Sequence, residues 1–165
     1  MFVGHESSVK IQERIALRKP GEEMQLFEPT FELDGKSAKV DILVVNDLGI
    51  HIKEVKAKSY DAQKAKWIGT RPANVLLKGY ADILMDLAFQ TEIVKTNYPD
   101  VLICSSFIMA DKAKVATRDG LNQLFETDGA RILTTIEENL AWDLLIDLDM
   151  SETIARILDG TYTYQ

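Results

Sequence analysis

The chain has 165 residues, 46% of them hydrophobic and 27% charged, enough for one domain whose core needs no covalent staples. A net charge of −7 argues against a general nucleic-acid coat, and a single cysteine excludes a disulfide framework and a cysteine-held zinc or iron–sulfur site. No apolar run approaches the ~18 residues of a membrane span and no signal-peptide pattern opens the chain, so a cytoplasmic location with no membrane partner is expected.

In chain order, residues 7–18 read as a helix with Val9, Ile11, Ile15 and Ala16 as apolar members and Pro20-Gly21 as its stop. Three strands are predicted at 25–33, 38–45 and 50–57, joined by turns at Asp34-Gly35 and Asn46-Asp47-Leu48-Gly49. A short helix is predicted over 60–67, and a long one over 74–96, ended by Tyr98-Pro99. Residues 98–109 read as a further strand, with Cys104 expected to be a buried, inert thiol in the apolar run Val101-Leu102-Ile103-Cys104. Helices are predicted over 119–125 and 133–145, and Ser151 is placed to cap a last helix running to Leu158, with Gly160 as its stop. The expected architecture is a single α/β domain over residues 1–165: helix, three-stranded antiparallel meander, long helix, further strand, helical C-terminus. The first helix starts abruptly, which also fits a piece of a longer protein.

The two turns fix which residues should face one another. With Asp47-Leu48 at the tip of the second turn, Val45 faces Ile50, Leu43 faces Ile52 and Asp41 faces Glu54. With Asp34-Gly35 at the tip of the first, Glu28 faces Asp41. Three carboxylates then stand in one row across three strands, with Lys56 on the same face two residues beyond Glu54 and His51 on the opposite face. Like charges about 5 Å apart across a sheet repel, and a hard divalent ion such as Mg²⁺ or Mn²⁺ would offset that in an all-oxygen site. The plain alternative is a solvated sheet face on which these acids pair with Lys39 or Lys56.

The stretch Lys39-Val40-Asp41-Ile42-Leu43-Val44-Val45, a turn, then Ile52-Lys53-Glu54-Val55-Lys56 resembles the motif core of RecB-like nucleases in the PD-(D/E)XK superfamily. There an Asp on one strand precedes Glu-x-Lys on the next, and a helix carrying Gln follows. Here that helix contains Asp86-Leu87-Ala88-Phe89-Gln90. On a helical wheel Gln90 falls in an apolar stripe with Leu76, Ile83, Leu87 and Val94, so its amide must find a partner inside. The resemblance covers roughly residues 7–140 and extends, through Leu26-Phe27-Glu28, Ala88-Phe89-Gln90 and Phe107-Ile108-Met109, to bacterial proteins in which a second nuclease-like domain follows.

The resemblance implies a restriction-endonuclease-like core that hydrolyses phosphodiester bonds in nucleic acid, with DNA ahead of RNA and the choice left open. Asp41, Glu54, the backbone carbonyl of Val55 and, as a third carboxylate, Glu28 would hold one or two Mg²⁺ or Mn²⁺ ions. Lys56 would orient or deprotonate the attacking water or stabilise charge on phosphorus, and Gln90 would hold Lys56 or the water in place. Some relatives carry an iron–sulfur cluster, which one cysteine cannot support, and many carry a His ligand on the first helix, for which His5 is the candidate here.

Between Lys53 and Lys78 seven basic residues stand against two acids, in a chain that is acidic elsewhere. Lys58, Lys64, Lys66 and Arg71 are therefore candidate nucleic-acid contacts, with Trp67 either stacking on an unpaired base or covering the edge of the core. Two rival functions stay open: a nuclease-fold module that binds nucleic acid or protein without cutting, and an unrelated α/β interaction domain. Metal binding separates them, since the last predicts none.

Overall fold

A computed structural model describes residues 8–70, 72–116, 125–128, 131–134 and 142–164. Helix α1 (Ser8–Ala16) is followed by strands β1 (Met24–Phe27), β2 (Thr30–Leu33), β3 (Lys36–Lys39), β4 (Ile42–Asn46) and β5 (Gly49–Val55). Next come the short strands β6 (Ile68–Thr70) and β7 (Ala73–Leu76), helix α2 (Lys78–Asn97) and strand β8 (Ile103–Ala110). Strands β9 (Phe125–Asp128), β10 (Arg131–Thr134) and β11 (Leu145–Asp149) precede helix α3 (Ser151–Leu158). The molecule is thus mixed α/β, and its main sheet has five strands in the order β1-β4-β5-β8-β11.

The register is the one the turns predict. Leu26 lies opposite Leu43, Phe31 opposite Ala38, and Val45 opposite Ile50. The first two predicted strands are each split, however. Glu28 adopts a φ of 53° and Pro29 has no N–H to donate, so the ribbon turns there and β2–β3 leaves the plane of the sheet. The ladder bridges the break, with Glu28 N donating to Asp41 O at 2.9 Å and Val40 N to Pro29 O at 3.0 Å. Phe31, Ala38 and Val40 can therefore bury themselves beside α2 rather than continue the sheet.

Strand β5 alternates apolar and polar residues, so Ile50, Ile52 and Glu54 face inward while His51 and Lys53 face the other side. Helix α2 buries Ala81, Leu84, Leu87, Ala88, Ile93 and Val94, and it carries the chain over so that β8 runs parallel to β5. Helix α3 packs on α2 and β8. A buried hydroxyl pair, Thr91 Oγ1 and Ser105 Oγ at 2.7 Å, joins α2 to β8, and Ser105 N donates to Ser151 Oγ at the start of α3.

Several expectations give way. Residues 60–67 form turns rather than a helix, because the chain is pinned to the end of β8 by Tyr60 N to Ala110 O at 2.7 Å and Lys112 N to Tyr60 O at 2.9 Å. Residues 73–76 pair with β6 as a hairpin, so α2 begins at Lys78 and Leu76 is not on its stripe. Of the helix predicted over 133–145, residues 133 and 134 are strand, Trp142–Leu144 form a single 3-10 turn, and Leu145 opens β11, whose Leu-Ile-Asp-Leu-Asp alternation pairs with β8; Phe125, the end of the helix predicted over 119–125, opens β9. The remaining sequence of that helix up to Ala141, residues 119–124 of the helix before it, and His5 lie outside the described residues. Ser151 does not cap α3 with its own side chain; Asp149 does the corresponding work, accepting from Ser151 N at 2.9 Å and Ser151 Oγ at 2.6 Å. Cys104 is half-buried rather than buried, on the strand face shared with His51.

Candidate active site at the carboxyl end of β5

Glu54 is the last inward residue of β5 and only 6% exposed. A carboxylate at that depth needs bonds to both oxygens, and it has them. Lys56 Nζ donates to Oε1 at 2.7 Å and Gln90 Nε2 to Oε2 at 3.0 Å. Lys56 stands two residues beyond Glu54, and its backbone N–H bonds to Ile108 O at 3.0 Å, which keeps it on the line of β5. Gln90 reaches inward from α2, 4% exposed, as its place among apolar residues demands. Its carbonyl Oε1 is buried with no hydrogen-bond partner among the described residues.

Asp41 stands just before β4, one residue beyond the last ladder pair, Ile42 opposite Lys53. Its Oδ2 accepts from Val55 N at 2.8 Å, which fastens the carboxylate against β5 one residue from Glu54. Glu28 keeps its register position opposite Asp41, but its carboxylate is exposed and pairs with Lys39 Nζ at 3.0 Å. The positive φ of Glu28 breaks the pleat alternation on which a row of three depended. Asp41, Glu54, Lys56 and Gln90 are brought together; Glu28 is not bonded to them among the described residues.

One participant is absent from the sequence-based set. Asp86 Oδ2 accepts from Lys56 Nζ at 3.1 Å. Asp86 precedes Gln90 by one helical turn, so both side chains leave α2 on the same face, and that i, i+4 spacing was the available signal.

The electrostatics follow from depth. Burial pushes the Glu54 carboxyl above its ordinary value, bonds from Lys56 and Gln90 oppose this, and the charge of Asp41 adds to it. Burial also works against the Lys56 charge, but the bonds to Glu54 and Asp86 outweigh it and hold its pKa above the ordinary lysine value. Lys56 is therefore an ammonium at neutral pH.

The basic stretch is anchored near the same end of the sheet but is partly committed. Lys58 donates to Gly79 O at 2.7 Å and lies 3.9 Å from the Tyr80 ring centre, and Lys64 pairs with Asp61 at 3.6 Å. Lys66 is exposed, and Arg71 lies outside the described residues. Trp67 packs on Tyr80 and Phe107, with ring centres 4.5 Å and 6.0 Å away, so it covers the edge of the core. A cavity of about 370 Å³ lies on the far side of the sheet, lined by Phe27, Ile42, Val44 and Ile108, where no carboxylate of the cluster reaches. His51 is on that side too, as expected. Compared with known proteins, the chain matches no family model and no curated relative.

Proposed function

We propose that the chain is a divalent-metal-dependent nuclease domain of the PD-(D/E)XK type, hydrolysing phosphodiester bonds in DNA. The observation that carries the reading is the convergence of Asp41, Glu54, Lys56 and Gln90 from β4, β5 and α2 at the carboxyl end of β5. Support also comes from the element order, a helix, an antiparallel meander, a long helix and a further strand, which is the order expected from the resemblance.

The residues fit a hard cation, though sparsely. No group of three or more His, Cys, Asp or Glu ligands occurs among the described residues, so two carboxylates would need help from neutral oxygens. Gln90 Oε1, buried beside Glu54 and without a partner among the described residues, would be one such oxygen, and the repulsion of Asp41 and Glu54 favours a positive charge between them. Asp41, Glu54 and the carbonyl of Val55 would hold Mg²⁺ or Mn²⁺. Bound there, the ion would lower the pKa of a water and screen charge building on phosphorus. Gln90 fixes the rotamer of Glu54 through Oε2. Lys56 would orient or deprotonate the attacking water or supply positive charge to a phosphate oxygen. Lys66 and the undescribed Arg71 would meet the nucleic-acid backbone.

A second reading, a nuclease-fold module that binds without cutting, is favoured by one observation: both Glu54 oxygens are already engaged. Cleavage of single- and double-stranded DNA and RNA with Mn²⁺ or Mg²⁺ decides. Lys56→Ala should reduce cleavage by roughly 10²–10³-fold while keeping the fold and binding cation at least as well as the parent, and Asp41→Asn should abolish both cleavage and cation binding. Nucleic acid bound with a steep salt dependence, yet uncut under every condition, would install the second reading.

A further inference from the structure

We infer that Asp86 is a positioning residue for Lys56, receiving its ammonium group when a divalent cation occupies the Asp41–Glu54 pair; the inference rests on the metal-dependent reading above. Lys56 Nζ is shared between two carboxylates, 2.7 Å from Glu54 Oε1 and 3.1 Å from Asp86 Oδ2. Glu54 Oε2 is tied to α2 through Gln90, so Oε1 is the oxygen left for a cation, and the ammonium sits on it. A cation and an ammonium repel at such distances, most strongly where water is excluded. Lys56 must therefore yield Oε1, and Asp86 already holds it on the other side. The Lys56 side chain is 20% exposed and that of Asp86 47%, so Asp86 can strengthen its bond to the ammonium without being buried to do so.

The helix makes this transfer a matter of geometry. Gln90 and Asp86 leave α2 one turn apart, the first locking Glu54 and the second offering Lys56 an alternative carboxylate. Without Asp86 the ammonium has Glu54 as its remaining carboxylate partner among the described residues and would compete with the ion. The Glu-x-Lys pair would then inhibit its own loading, and the acid on α2 relieves that competition.

Calorimetric titration of the full chain with Mn²⁺ tests this, with melting of each variant in the absence of metal as the fold control. Asp86→Asn should weaken Mn²⁺ binding by roughly tenfold, the scale of one charge-assisted hydrogen bond. Asp86→Glu should restore most of it. Lys56→Met, which keeps the aliphatic stem but removes the competing charge, should bind Mn²⁺ more tightly than the parent. In that background Asp86→Asn should add no further loss.

An equal loss in both backgrounds would make Asp86 a through-space charge and overturn the inference. So would a parent protein that binds Mn²⁺ with Asp86→Asn indistinguishable from it, and in that case the metal-dependent reading survives. If neither the parent nor Lys56→Met binds Mn²⁺, the inference and the metal-dependent reading fall together.

Discussion

Glu54 carries its charge against burial, and the two donors that hold it come from different elements, Lys56 from the end of β5 and Gln90 from α2. Such a pair adds little to stability, since a buried ion pair seldom improves on an apolar one. Its raised pKa means that the folded state binds the proton more tightly than the unfolded chain, so stability falls as pH rises through and above the ordinary carboxyl range. Glu54→Gln should therefore melt at least as high as the parent at pH 7, with the difference shrinking toward pH 4. A marked loss at pH 7 would show that the pair holds the fold together.

On the far side of the sheet His51 behaves in the opposite sense. Burial lowers its pKa below the ordinary 6.5, Lys53 lowers it further, and Asp147 and Asp149 only partly compensate. Below about pH 6.5 the unfolded chain binds the extra proton, so this contribution is present above that pH and lost as pH falls toward the folded-state pKa. His51→Gln should flatten the fall in melting temperature between pH 7 and pH 5.5. An unchanged slope would assign that fall to other groups. The role of Gln90 as a buried amide in need of a partner was legible from its place among apolar residues. For Asp86 the i, i+4 spacing to Gln90 was the one signal, and a weak one, because an exposed acid on a helix is ordinary until Lys56 is seen to reach it.

At the scale of elements, the hairpin registers were legible because Asp34-Gly35 and the Asn46–Gly49 turn leave few ways to pair alternating strands. The fold of the ribbon at Glu28-Pro29 was not, although Pro29 was visible; whether a proline bends a strand or ends it depends on what lies beneath. Strand β11 was hidden because five alternating residues follow an apolar stretch that also suits a helix. Gly49, the first residue of β5, shows how closely the strands are set. Its φ is 142°, and a Cβ there would lie 2.2 Å from Leu102 O, the carbonyl that accepts from Ile50 N at 2.9 Å. Gly49→Ala should therefore cost about 2–4 kcal/mol from strain and overpacking. Gly35→Ala, with a φ of 76° but nothing within 4 Å, should cost about 1 kcal/mol. Chemical denaturation measures both, and equal losses would contradict the close approach at Leu102.

For the whole molecule, the candidate site exists only where a local ribbon meets a distant strand and its crossover helix. The meander can pair from short turns, but Glu54 is neighboured in the sheet by Phe107, across the full length of α2. Contacts that close a long loop form late, because the entropy of closure must be met before they contribute. The Asp41–Glu54 side is then expected early in folding, and the side that carries Gln90 and Asp86 is expected to arrive with the docking of α2. A cation that needs both sides would bind after the rate-limiting step. Saturating Mn²⁺ should slow unfolding by the full factor by which it stabilises the protein, leaving the refolding rate unchanged; faster refolding would mean that α2 is already seated in the transition state. Unchanged refolding would mean that the parallel pairing of β5 with β8 puts the site on the kinetic far side of the folding barrier, where a ligand would act as a lock on escape rather than as a guide to assembly.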